Sequence, residues 1–98
     1  MEQVNFLQNE NLRSVEKISD SQLFLVTDNR VIVYDPGINL FINFTDQPYD
    51  LCRYDHLYDI IYLAKGNLVY GFNRTTGDLM EDISFPEEVL DFQILYNK

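Results

Sequence analysis

The stretch Ile61-Tyr62-Leu63-Ala64-Lys65-Gly66-Asn67-Leu68-Val69-Tyr70-Gly71-Phe72-Asn73-Arg74-Thr75-Thr76-Gly77-Asp78-Leu79 decides the fold. Two apolar and aromatic runs flank Lys65-Gly66-Asn67, and Thr76-Gly77-Asp78 closes the second of them. Short runs of this kind between Gly, Asn and Asp read as strands joined by tight turns. Gly and Asn tolerate the positive φ that such turns require, and β-branched and aromatic side chains fit a pleated surface. Outward from this stretch the same punctuation recurs at Asp28-Asn29, Asp35-Pro36-Gly37, Asp46-Gln47-Pro48 and Phe85-Pro86-Glu87. The runs between these turns place strands at about 12–18, 22–27, 30–35, 38–44, 50–54, 57–64, 67–73, 78–84 and 88–95. Residues 1–11 are polar, with Val4, Phe6 and Leu7 available for one more edge strand. A single Ala against seven Tyr and seven Phe does little for helices. The expected class is all-β, an antiparallel meander of about nine short strands, with a compact β-sandwich or barrel as the alternative.

An internal repeat organises these strands. Val15-Glu16-Lys17-Ile18, Leu51-Cys52-Arg53-Tyr54 and Val89-Leu90-Asp91-Phe92 occupy equivalent places, 36 and then 38 residues apart. Leu23-Phe24-Leu25-Val26 corresponds to Ile60-Ile61-Tyr62-Leu63, and Val31 to Asp35 corresponds to Val69 to Asn73. The units run from about 12–47 and 48–86, with an extra strand at 88–95 that opens a third. A four-stranded unit repeating near 38 residues is the period of a propeller blade. The stretch Ile61 to Leu79, strand, small turn, strand and Thr-Gly turn, resembles the β-propeller blades of quinoprotein-type and WD-type repeats. The resemblance implies a recognition platform. The chain has no Trp, so the Trp-Asp dipeptide of WD repeats and the Trp of quinoprotein repeats are missing, and no cofactor is expected.

Charge and composition exclude several partners. The 98 residues carry 16 acidic and seven basic side chains, a net charge of −9. Such a chain is repelled by phosphate backbones and anionic lipids, and its few cations form no basic stripe, so neither direct nucleic-acid binding nor membrane association is expected. No apolar run is long enough to span a bilayer. The N-terminal Met1-Glu2-Gln3-Val4-Asn5 lacks the basic and apolar regions of a signal peptide. With one Cys and no internal disulfide possible, an intracellular setting, cytoplasmic or nuclear, is expected. Asn43-Phe44-Thr45 and Asn73-Arg74-Thr75, which match the glycosylation pattern, then read as turn residues.

Several strands have apolar residues on both faces. Leu57, Ile61 and Leu63 lie on one face of their run and Tyr58, Ile60 and Tyr62 on the other. A half-exposed antiparallel strand alternates instead, so these sheets require cover on both sides. Two blades leave two faces open, which points to completion by a neighbour.

Candidate sites follow from residue chemistry. Cys52 and His56 are the one Cys/His proximity, flanked by Asp50, Asp55 and Asp59. One thiol and one imidazole are too few for a zinc site, and two residues so close in sequence seldom make a nucleophile–base pair. No catalytic, metal or cofactor residues are assigned, and the chain is not expected to be an enzyme. Tyr-Asp pairs occur at 34–35, 49–50, 54–55 and 58–59. A rigid ring with a polar tip suits an interface, so Tyr49, Tyr54, Asp55, Tyr58 and Asp59 are candidate interaction residues. Val89, Phe92 and Ile94 of the last strand join them, because an unpaired edge invites a partner strand. The expected function is a non-enzymatic protein–protein interaction module or subunit, completed by another protein or by copies of itself. One alternative is a homotrimeric propeller lectin that stacks carbohydrate on Tyr34, Tyr54, Tyr58 and Tyr70. Another is an inhibitor that mimics nucleic acid and blocks a basic groove with Asp78, Glu81, Asp82, Glu87, Glu88 and Asp91.

Overall fold

The computed structural model describes residues 10–94, and every regular element among them is a strand. These are β1 (Leu12–Ser19), β2 (Gln22–Thr27), β3 (Val31–Asp35), β4 (Leu40–Thr45), β5 (Leu51–Asp55), β6 (Ile60–Lys65), β7 (Leu68–Asn73) and β8 (Leu79–Ser84). β1–β4 form one antiparallel meander, sheet 1, and β5–β8 form a second, sheet 2, each in chain order. The all-β class and the two four-stranded units agree with expectation. The edge strand expected at Val4, Phe6 and Leu7 lies outside the described residues. The ninth strand, expected over 88–95, is corrected: residues 88–94 join no ladder, and Leu95 lies outside the described residues. Two of its donors bond elsewhere, the Val89 N–H to the Gly66 carbonyl at 2.8 Å and the Phe92 N–H to the Asp91 carboxylate at 2.8 Å.

The turns share one construction. The Asp35 carboxylate accepts the Gly37 N–H at 2.9 Å, and that of Asp55 accepts the N–H groups of Leu57 and Tyr58 at 2.9 and 3.3 Å. In both loops the residue before the Asp, Tyr34 or Tyr54, donates its hydroxyl to the residue five positions on, Asn39 at 3.1 Å or Asp59 at 2.7 Å. Among the described residues Asn39 and Asp59 hold the two non-glycine positive φ angles, 53° and 57°, a region that Asn and Asp enter more easily than most residues. The β7–β8 loop is analogous. Asn73 caps the Thr75 and Thr76 N–H groups, and Gly77 takes the positive φ of 80°. The two-residue β6–β7 turn puts Gly66 first, at φ 61°, as a type II′ hairpin requires.

The sheets stack without a flip. β1 and β5 are the closest strands of the two sheets and run in the same direction. The Ser14 hydroxyl accepts the Cys52 N–H at 3.2 Å, and the Glu16 carboxylate accepts the Tyr54 N–H at 2.8 Å, each across 38 residues. Farther along, Phe44 of β4 meets Phe72 of β7 edge-on at 6.1 Å, so the strand order advances in the same sense in both sheets. One sheet is therefore carried onto the other by a shift and a turn, and unlike faces meet. The front of sheet 1, with Ser14, Glu16, Phe24, Val26, Val31, Val33 and Phe44, packs on the back of sheet 2, with Cys52, Tyr54, Ile61, Leu63, Tyr70 and Phe72. Phe24, Val26, Val31, Cys52, Ile61 and Leu63 are buried there, each large side chain contributing about 1.5–3 kcal/mol relative to exposure.

This geometry corrects the repeat register. The sequence alignment pairs Glu16 with Cys52 and Phe24 with Ile61, but those residues lie on opposite faces of their sheets. Because pleat alternation has a period of two, a slip of one residue exchanges faces. By face and ladder position, Glu16 corresponds to Arg53, Phe24 to Tyr62 and Val26 to Ala64. Val31 corresponds to Val69, as the sequence already indicates.

Candidate interaction face

The front of sheet 2 is the structural counterpart of the buried front of sheet 1. It carries Arg53 from β5, Ile60, Tyr62 and Ala64 from β6, Val69 and Gly71 from β7, and Glu81 and Ile83 from β8. Gly71 makes room for the Tyr62 ring, since a Cβ at that position would lie 2.9 Å from Tyr62 Cε1. The ring crosses the gap, and its hydroxyl donates to Glu81 at 2.8 Å.

Residues 85–94 cover only part of this face. Arg53 holds the segment, donating from Nε to the Phe92 carbonyl at 3.1 Å and from a terminal nitrogen to the Asp91 carboxylate at 2.6 Å. Its guanidinium also lies 5.9 Å from the centre of the Phe92 ring. Val89, Phe92 and Ile94 are half-buried against the sheet, while Leu90 is 80% exposed. An apolar groove of about 260 Å³ remains, lined chiefly by Tyr62, Val69, Ile83, Phe85, Phe92 and Ile94. Every residue of β8 beside it is exposed, Leu79, Met80 and Ile83 included. Three of the expected interaction residues, Val89, Phe92 and Ile94, are thus brought to one place, although in an irregular segment.

The Tyr-Asp candidates are distributed differently. Tyr49 is 8% exposed and packs edge-on against Tyr70 and Phe72 at 6.0 and 6.4 Å. Burial, and then the neighbouring Tyr70, raise its hydroxyl above the ordinary tyrosine value. Asp55 is a buried turn cap. Tyr54 and Asp59 belong to a cluster that ties the ends of the sheets together. Asp59 accepts from Tyr54 at 2.7 Å, from Arg74 Nε at 2.6 Å and from the Thr75 hydroxyl at 2.7 Å. Arg74 reaches on to Gln22 of sheet 1 at 2.9 Å. Burial alone would raise the Asp59 carboxyl, but these three donors together hold it below the ordinary value. Burial, followed by the bond to Asp59, raises Tyr54. Arg74 is raised, first by the Asp59 hydrogen bond. Within the Tyr49–Asp59 group of candidates, Tyr58 is the large exposed side chain, at 69%. Of the proposed carbohydrate-stacking residues, Tyr34 stacks on Phe41 on the back of sheet 1, whereas Tyr54 and Tyr70 lie between the sheets. They form no common surface.

Cys52 is buried, with its sulfur 3.7 Å from the Ser14 hydroxyl. Burial chiefly, opposed by that hydrogen bond, pushes the thiol up to about 11. A thiol held protonated at neutral pH is a poor nucleophile. His56 sits in the exposed β5–β6 turn. Among the described residues no group of three or more His, Cys, Asp or Glu is placed to hold a metal ion, and no helix is long and apolar enough to cross a membrane. Of the acidic set, Asp91 pairs with Arg53 and Glu81 accepts from Tyr62, while Asp82, Glu87 and Glu88 are exposed, Asp82 on the opposite face of sheet 2 from the groove.

Sequence reasoning separates Tyr58, Ile60 and Tyr62 from Leu57, Ile61 and Leu63 as the ladder does, but it missed the front face of sheet 2 as a site because the repeat alignment pairs Tyr62 with Leu25, on the back of sheet 1. The signal that identifies it is Gly71 directly across the ladder from Tyr62, a small residue beneath a large one. Comparison with protein-family models, curated proteins and solved structures returns no match.

Proposed function

We propose that this chain is a non-enzymatic protein–protein interaction module, a blade-like pair of sheets that a partner completes at the front of sheet 2. One observation carries this reading. Phe24, Val31 and Phe44 on the front of sheet 1 are covered by sheet 2, whereas Val69 and Ile83 at the corresponding places of sheet 2 line an apolar groove, and Ile83 is 40% exposed. Exposed apolar concavities of this kind are where proteins meet. The buried, unreactive thiol of Cys52 and the absence of any other Cys support an intracellular setting.

The reading is tested with an apolar fluorescent dye and light scattering on the full chain. Dye binding that is abolished by Ile83→Asp, with the far-ultraviolet circular dichroism unchanged, is the expected result. A monodisperse monomer that binds no dye would overturn the reading.

A further inference from the structure

We draw no further inference here: the strongest candidate, the exposed apolar edge of sheet 2 formed by Leu79, Met80 and Ile83 of β8, adjoins the face already described, and nothing among the described residues shows what covers it.

Discussion

Phe24 and Tyr62 occupy equivalent positions on the fronts of successive sheets, and truncating each to Ala tests the face assignment directly. Phe24 is 1% exposed, with its ring edge-on to Phe44 at 5.1 Å and packed in the cluster with Ile61 and Leu63. Removing a buried phenyl ring from such a site costs about 3–5 kcal/mol, the lost transfer free energy plus the cavity left behind. A domain of this size has about 5–15 kcal/mol in total, so Phe24→Ala removes a large share of it. Tyr62 is half-buried over Gly71 at the edge of an open groove. Water enters the space vacated by Tyr62→Ala, no sealed cavity forms, and the cost is about 1 kcal/mol. Urea unfolding followed by tyrosine fluorescence and circular dichroism measures both, with an unchanged m-value expected for each. Equal losses for the two variants would refute the stacking of unlike faces, because the fronts would then be equally covered.

Other consequences are accessible to simple measurements. Cys52 should resist an aromatic disulfide reagent at neutral pH and react only as the protein unfolds, so that modification across a urea series follows the unfolding curve. The depressed carboxyl of Asp59 contributes stability that is fully present above its unfolded value of about 3.9 and is lost as pH falls through its lower folded value. Thermal melts of wild type and Asp59→Asn should accordingly differ most at neutral pH and converge in strong acid. Gly71→Ala drives a methyl into Tyr62 Cε1 and Glu81 Cγ, at 2.9 and 3.2 Å before relaxation. It should cost about 1–3 kcal/mol by overpacking, read as a lowered urea midpoint.

Strand number and order were legible because Gly, Pro, Asn and Asp punctuate the chain at nearly every turn, and a meander needs no long-range information to be traced. The last strand was not, because Val89-Leu90-Asp91-Phe92 has strand composition while its place depends on Arg53, 38 residues earlier. The Tyr-Asp pairs were read as surface chemistry, yet at Tyr34-Asp35 and Tyr54-Asp55 they build turns, the Asp capping the loop and the Tyr reaching a residue at positive φ. Composition alone does not distinguish a tyrosine that meets a partner from one that braces its own hairpin. The register of the repeat failed by one residue, since apolar side chains populate both faces and leave alternation no contrast to report.

The stacking of unlike faces also governs how the chain folds and how it fails. Each sheet is a succession of hairpins whose contacts are local and form on about the microsecond scale. The bonds from Ser14 and Glu16 to β5 instead close a separation of 38 residues, and in a nearest-neighbour description they belong to the single coupling term of a two-unit array. Losing either unit uncovers the front of sheet 1 and the back of sheet 2 together, so no half-folded chain retains that term. The two described sheets are thus expected to unfold in one concerted transition.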